Sequence, residues 1–331
     1  MKKVISIILI LATVFSCFLL MSCNNSSTSD QGYKIALNLT EEWDKISENT
    51  LVQGCVVVRK DFAEKNPATV SKFLNEYKAS IEFTNTNPQQ AGQYIKDYGI
   101  FDNSTVAANA IPNCNIAYLE GDEMKNAMSD FLSAMYSIAP ESIGNKVPEN
   151  DFYYYKNDNI NAETSNVRVT VLNGTTGFGM AKLMFDNANG NSANNYEFKV
   201  VTDASSIAPG LINGSIDIAA LPTNAAANIY NKTNGGVQVL AINTLGVLYM
   251  LDKTGEINSI ADLEGKTIYC PAQNPTFILK YILQANNINA TINSTDYSTP
   301  AALRAAVIAD KVDIAVLPEP MVSIVMANKN K

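Results

Sequence analysis

Two stretches of the sequence repeat each other, and each continues directly into a helix-like segment. Residues 213–223 read NGSIDIAALPT, and residues 310–320 read DKVDIAVLPEP. An amphipathic helical pattern precedes each stretch and another follows it. A repeated strand, turn and helix start predicts two halves built on one plan, and two such halves imply a cleft between them.

From Asn166 onward, strand-like and helix-like segments alternate with short connections. This alternation predicts parallel βαβ units and an α/β fold, in which each half is a mainly parallel sheet flanked by helices. The N-terminal third differs, because two strands, YKIALNL and VQGCVVVRK, are followed only by predicted helices. Those helices cover 66–86, 88–98, 104–110 and 120–138. Later strands are predicted at 167–172, YEFKVVT, IDIAALP, VQVLAIN, LGVLYML, KTIYC, near Thr291, and at VDIAVLP.

The composition of the chain excludes several kinds of catalytic and metal site. The chain has no histidine, which removes Ser/His/Asp and Cys/His nucleophiles and His-ligated zinc. The net charge is −8, and Arg59, Arg168 and Arg304 are the only arginines, which argues against a nucleic-acid partner. We therefore predict no catalytic residue, no metal site, no cofactor and no nucleic acid.

The first 23 residues, MKKVISIILILATVFSCFLLMSC, combine two lysines with an apolar run and a cysteine. This pattern predicts a secretory signal, and a retained membrane anchor is the alternative. The last four residues are similar to the bacterial lipobox. We expect a signal peptide over 1–22, acylation of Cys23, a flexible tether over 23–32, and an exported protein held at the membrane by lipid.

Export places the remaining cysteines in an oxidising compartment. Cys55, Cys114 and Cys270 form no CxxC motif. We expect them to be buried small hydrophobic residues, and a Cys55–Cys114 disulfide is the alternative.

The segments that carry a family resemblance cover nearly the whole chain from residue 33. They are VRVTVLNGTTGFGMAKLM (167–184), the stretch 212–251, ADLEGKTIYC (261–270), VDIAVLPEPMV (312–322), IALNLTEEWDK (35–45), GCVVVRKDFAEKNP (54–67), AIPNCNI (110–116) and DFYY (151–154). The chain resembles the solute-binding lipoproteins of ABC importers, in the group similar to thiamine-pyrimidine and sulfonate binders (NMT1/THI5-like and SsuA-like). The resemblance implies a two-lobe, type II periplasmic-binding-protein-like fold that closes around a small molecule.

The order of the segments departs from that family. There the stretch seen here at 167–331 comes first and the stretch at 33–155 comes last, so the chain resembles a circular permutant. The resemblance implies crossing strands at 245–251 and 55–60, and it places Gln31 beside Lys331. Lobe two would be 33–59 plus 247–331 and lobe one 60–246, with 158–166 joining the family's usual ends.

Candidate ligand-binding residues lie where strands end and helices begin. In open α/β sheets small molecules bind beyond the carboxyl ends of strands, where helix N-termini present free N–H groups. A tight turn, a helix cap or simple solvation explains the same residue types. Glu319 stands between two prolines, which predicts a fixed, exposed carboxylate. The candidates are Gly174, Thr175, Thr176, Gly177, Pro222, Thr223, Asn224, Gln273, Asn274 and Glu319.

Three further residues complete the predicted site. Trp43 is the only tryptophan and follows a strand in a polar EEWDK turn, so we expect it to stack on a ligand, with packing under a loop as the alternative. Thr244 and Asn113 are weaker candidates.

The resemblance implies a monomeric binding protein that delivers a small molecule to a permease and its ATPase. Scarce arginine favours a neutral or cationic heteroaromatic ligand over a sulfonate. The alternatives are a surface sensor or interaction lipoprotein, and an enzyme similar to the yeast-type pyrimidine synthase. That synthase consumes its own histidine, and this chain has none.

Overall fold

A computed structural model describes residues 32–156 and 165–329. The predicted signal peptide, Cys23, most of the tether, Gln31, Lys331 and most of the 158–166 linker lie outside these residues. The strands are β1 (Lys34–Asn38), β2 (Val52–Arg59), β3 (Ile116–Leu119), β4 (Asn166–Leu172), β5 (Asn195–Val201), β6 (Ile218–Pro222), β7 (Val237–Leu245), β8 (Leu248–Asp252), β9 (Thr267–Tyr269), β10 (Thr291–Asn293) and β11 (Ile314–Pro318).

The helices largely follow the predicted pattern. For example, the long helix predicted to open at Asn66 has Pro67 in its first turn, where the missing N–H of proline is tolerated. The helices are α1 (Leu39–Asp44), α2 (Lys60–Lys65), α3 (Pro67–Thr86), α4 (Pro88–Asp97), α5 (Ser104–Ala110), α6 (Gly121–Ile138), α7 (Thr175–Phe178), α8 (Ala181–Ala188), α9 (Ile207–Asn213), α10 (Thr223–Lys232), α11 (Asn274–Ala285), α12 (Pro300–Ile308) and α13 (Met321–Lys329).

The strands form two mixed sheets. The six-stranded sheet has the order β3-β7-β2-β6-β4-β5, and the five-stranded sheet has the order β1-β8-β11-β9-β10. Strands β5, β4 and β6 are parallel, and so are β10, β9 and β11. The third parallel strand in each set pairs with an antiparallel strand from another part of the chain, β2 and β8 respectively.

The two sheets therefore share one strand order. Read from the edge, β5-β4-β6-β2-β7 corresponds to β10-β9-β11-β8-β1. The repeated segments form β6 and β11, which occupy the same position in separate sheets, as the repeat predicts. One boundary differs from the prediction: β2 was assigned with lobe two, but it pairs with β6 and β7 in the six-stranded sheet.

Two segments cross from one sheet to the other. The first runs from the end of β7 through Gly246 and Val247 into β8, and the second runs from β1 through α1 into β2. A Cβ atom on Gly246 would lie 2.0 Å from the hydroxyl oxygen of Thr40. Only glycine fits this position without displacement, because a normal Cβ contact is much longer.

The core is shared on one side of the molecule and divided on the other. One apolar cluster draws side chains from both sheets and from α1, α6, α10 and α11. A second cluster lies between the six-stranded sheet and helices that include α3, α4, α7 and α8, and a third lies between the five-stranded sheet and α12 and α13. The first cluster, the shared core, connects the two sheets, while on the divided side each sheet has a core of its own.

Some predictions about this part of the chain were wrong. The four-residue strand β3, which pairs with β7, was not predicted. Cys55, Cys114 and Cys270 are buried and unbonded, as expected of small hydrophobic residues, so the alternative Cys55–Cys114 disulfide does not form.

Within residues 32–156 and 165–329, no helix has the length and apolarity to cross a membrane.

Candidate functional site

The carboxyl ends of the parallel strands in both sheets meet at one crossing segment. Leu245, the last residue of β7, pairs with Val52 at the start of β2, and Pro318 at the end of β11 pairs with Leu248 at the start of β8. The helix N-termini that follow these strands are therefore gathered at the edges where the sheets approach each other. Such edges are where α/β proteins bind small molecules.

The turn after β4 approaches the end of β7. Gly174 has a φ of +84°, in the left-handed region that glycine adopts without strain. A Cβ on Gly177 would lie 2.5 Å from the carbonyl oxygen of Leu172, so this position also requires glycine. The carbonyl of Thr176, which is half-buried, accepts a bond from Asn243 Nδ2 at 3.1 Å.

The side chain of Asn243 connects this turn to Thr244. Thr244 Oγ1 donates to Asn243 Oδ1 at 3.0 Å, and both residues are buried. Asn243 was missed in the sequence because it is the last residue of the apolar run VQVLAIN. Its signal is that a fully polar amide stands at the end of a buried strand, where it needs partners.

Helices α10 and α11 begin with buried polar side chains that are only partly satisfied. Thr223 Oγ1 donates to the carbonyl of Val52 at 3.1 Å, which fixes the start of α10 on β2. Asn224 and Asn274 are buried, and the Oδ1 atom of each has no hydrogen-bond partner. A buried oxygen without a donor costs about 1–3 kcal/mol, so two such atoms, one in each half and each in the helix start after a parallel strand, call for a functional reason.

Other predicted residues around these helix starts are more exposed. Pro222, which precedes α10, is half-buried, and Gln273, which precedes α11, is exposed. Gln273 has a φ of +67°, which a non-glycine residue adopts at an energetic cost. Thr175, at the start of α7, is buried.

The expectation that Glu319 is exposed was wrong. Glu319 is only 3% exposed, and its carboxylate accepts bonds from the backbone N–H and the hydroxyl of Ser323 in α13, each at 3.1 Å. Burial raises the pKa of this carboxyl, and the Ser323 bonds oppose the rise. Its charge in turn raises the pKa values of Cys114 and Tyr249, after burial, which is the main cause in both.

Asn113 is joined to Tyr249, whose hydroxyl Glu319 affects. Its side chain is exposed, while its backbone carbonyl accepts a bond from the hydroxyl of Tyr249 at 3.0 Å. Burial, with a smaller effect of Glu319, raises the pKa of Tyr249 to about 12, so this phenol is protonated at neutral pH. Asn113, Tyr249 and Glu319 thus join parts of the chain that pack on different sheets.

The expectation that Trp43 stacks on a ligand was also wrong. Its ring is 0% exposed and packs against Tyr281 and Phe131, with centroid distances of 4.7 and 5.9 Å. The indole N–H donates to the carbonyl of Asn49 at 2.6 Å. The residue lies in α1 rather than a turn, and it belongs to the shared core.

The predicted residues thus fall into two sets. The starts of α10 and α11, together with Trp43, lie on the side of the shared core, whereas the α7 turn, Asn113 and Glu319 lie where the cores are divided. The crossing segment runs near both sets.

A cavity of about 270 Å³ lies beside the crossing, lined in part by Thr40, Asn115 and Leu245. Thr40 Oγ1 is buried without a partner, and Asn115 donates to the carbonyl of Gly246. Neither residue was predicted. Within the described ranges, no group of three or more acidic, cysteine or histidine side chains could hold a metal ion.

Comparison with known proteins gives limited matches. Residues 25–136 match the family described as VitK2_biosynth, Menaquinone biosynthesis. No curated protein matches the sequence.

Two solved structures resemble parts of the chain. One is an ABC transporter from Parabacteroides distasonis, with 23% identity and a TM-score of 0.36 over 50% of this chain and 56% of that one. The other is the alkanesulfonate-binding protein SsuA from Xanthomonas axonopodis pv. citri bound to MOPS, with 17% identity and a TM-score of 0.34 over 51% of this chain and 60% of that one. The matched part is less than two thirds of either structure.

Proposed function

We propose that the protein is the extracytoplasmic solute-binding component of an ABC importer. The observation that carries the proposal is the pair of sheets with one strand order, whose carboxyl edges meet at a crossing segment. A small molecule held there contacts both sheets, and movement about the two crossings opens and closes the site. The lipid anchor at Cys23, the permease and its ATPase belong to the same proposal.

The buried asparagine oxygens support a ligand that donates hydrogen bonds. Asn224 Oδ1 and Asn274 Oδ1 accept from no described residue, and Glu319 adds a buried carboxylate directly after β11. These groups are acceptors, so they favour N–H or O–H donors on a neutral or cationic heteroaromatic compound over an anion. Two of the three arginines are already paired with Asp217, which leaves little positive charge for a sulfonate.

The segment order fits the proposed permutation. The ring of Tyr33 lies 6.0 Å from Nζ of Lys329, so the first and last described segments are neighbours. Lys156 Nζ and Ser165 Oγ contact Asn75 and Thr69 on the same helix, α3. Both observations support a chain in which the family's usual ends are joined and the first and last described segments lie side by side.

Substitution of the two asparagines tests the site. We expect Asn224→Leu and Asn274→Leu to leave the unliganded protein as stable as the original or more stable, because each removes an unsatisfied buried oxygen while keeping the side-chain shape. Each should weaken ligand binding about tenfold or more, which corresponds to one lost bond of about 1.4 kcal/mol.

The measurement begins with mass spectrometry of small molecules that co-purify with the exported protein. Calorimetric titration with that compound, with 4-aminopyrimidine and with ethanesulfonate then follows. Asn109→Leu, at an exposed helical asparagine, is the matched control. Tight binding of ethanesulfonate that both leucine variants retain would contradict the proposed ligand class.

An enzyme is the second candidate. The match of residues 25–136 to a biosynthetic family favours it, and so does Glu319, because burial raises the pKa of this carboxyl as it does in many general acids. Chemical change of the co-purified compound during incubation with the protein would establish the enzyme. Recovery of the compound unaltered supports binding and release.

A further inference from the structure

A second groove has none of the predicted ligand-binding residues in its walls. Its volume is about 340 Å³, and its walls include Phe101, Asp102 and Val106 on one side and Arg304 and Ile324 on the other. Phe101 packs against the core of the six-stranded sheet, whereas α12 and α13 pack against the five-stranded sheet. The groove therefore lies between the two cores on the divided side of the molecule.

Arg304 differs from the other two arginines. Arg168 and Arg59 lie 2.6 and 3.5 Å from the carboxylate of Asp217. Arg304 makes no ion pair with any described residue, and its one hydrogen bond is a 3.7 Å contact from Nη1 to Met321 Sδ. Its Nε atom is buried and has no partner.

This guanidinium lacks an acceptor. Arginine stays charged at every physiological pH and presents its donors in a planar fork that fits a carboxylate with two parallel bonds. A thioether sulfur is a weak acceptor, and a buried N–H without an acceptor is costly. Arg304 itself lines the groove.

The remaining walls limit what else the ligand carries. Phe101, Val106 and Ile324 supply an apolar surface next to the guanidinium, which suits an aromatic or branched hydrocarbon body. Asp102 is exposed in the same groove and makes no ion pair with Arg304. Its negative charge repels a second anionic group on the ligand.

We infer that this groove is a second binding site, which takes a small monocarboxylate with an apolar body. The carboxylate binds Arg304, and the apolar body lies against Phe101 and Ile324. Since its walls come from both halves, an occupied groove links them on the side where their cores are separate. The inference does not depend on the proposed transport function.

The test uses the full chain and 3-phenylpropionate as the probe, with binding followed by calorimetry and ligand-observed NMR. We expect saturable binding that Arg304→Gln weakens about tenfold or more and Arg304→Lys weakens less, because lysine keeps the charge but loses the fork. Lys311→Gln removes the same charge from an exposed position near α12 and should leave binding unchanged. Asp102→Asn should improve binding of phenylsuccinate, a dicarboxylate, more than that of 3-phenylpropionate.

Three results would overturn the inference. They are no saturable binding by the original chain, equal binding by the original chain and Arg304→Gln, and a stabilising coupling between Arg304 and Asp102 in a double-mutant cycle without ligand. The last result means that the two side chains pair with each other across the groove. Near-UV circular dichroism checks that each variant is folded. If Arg304→Gln does not fold, the two single variants Arg304→Lys and Asp102→Asn decide the question.

Discussion

The third parallel strands of the two sheets, β6 and β11, occupy corresponding positions but are held differently. Before β6, Asp217 is 1% exposed and accepts two bonds from the guanidinium of Arg168, at 2.6 and 2.9 Å. Before β11, the corresponding Asp313 is exposed. After the strands the pattern reverses, because β11 leads into the buried carboxylate of Glu319 and β6 leads into the uncharged Thr223.

This difference separates two kinds of information in the repeat. The residues DIA and LP, which both segments share, give strands of the same length at the same position in their sheets, because apolar burial and strand pairing determine both. The charged residues around them are used in opposite ways: one half buries charge at the amino end of the strand, away from the crossing, and the other buries it at the carboxyl end, beside the candidate site. Conserved strand order therefore says little about where each half carries its polar function.

The shared core joins the two sheets, and its disruption should cause the largest loss in the free energy of unfolding. Trp43→Ala removes a fully buried ring that packs on α6 and α11. We expect a loss of about 3–5 kcal/mol in the free energy of unfolding, typical of a large aromatic residue replaced by alanine. Urea unfolding followed by far-UV circular dichroism measures the loss. Trp43→Phe is the control and should lose less, and a loss below about 1 kcal/mol for alanine would show that the rings do not hold the sheets together.

A pair of matched variants tests the aspartates directly. Asp217→Asn should lower the free energy of unfolding by about 2–3 kcal/mol. This loss is smaller than that expected from breaking a fully buried ion pair, because the side chain of Arg168 is 42% exposed. Asp313→Asn at the corresponding exposed position should change stability by less than about 0.5 kcal/mol. Urea midpoints of the two variants make the comparison. Equal losses would mean that the two strands are anchored alike.

The smallest effect concerns Glu319 and depends on pH. Burial raises the pKa of this carboxyl in the folded protein, so the folded state favours the protonated form, and ionisation removes stability as pH rises through the folded pKa. Glu319→Gln should therefore be more stable than the original chain near neutral pH, and the difference should vanish below about pH 4.3, the usual glutamate value. Thermal melting from pH 4 to 8 measures it. Glu64→Gln, at an exposed position, is the control, and a constant difference for Glu319→Gln would exclude titration as the cause.

The sequence predicted most of the regular structure because its signals are local. Alternating apolar residues located β4, and Asn66 with Pro67 located the start of α3. The repeat predicted separate sheets for β6 and β11. By contrast, β3 was missed because its four residues are mostly half-buried at a sheet edge and carry no alternating pattern.

The candidate site was predicted less well because burial there depends on distant residues. Trp43 is enclosed by Phe131 and Tyr281, and Glu319 lies near Cys114 and Tyr249. No local pattern in EEWDK or PEP reports such neighbours. The orphaned oxygens of Asn224 and Asn274 and the unpaired guanidinium of Arg304 likewise become visible only when every possible partner has been placed.

The contact of Tyr33 with Lys329 has a mechanical consequence. Tyr33 belongs to the core of the five-stranded sheet, and Lys329 ends the helix α13 that packs on this sheet. A force applied through residues next to Tyr33 or Lys329 therefore acts first on the half that contains the five-stranded sheet. In a protein attached there, the half built on the five-stranded sheet is held directly, and the other half is held only through the two crossings and the shared core. Distance probes for such motion should therefore be placed with one label near β1 and the other on the exposed side of α9.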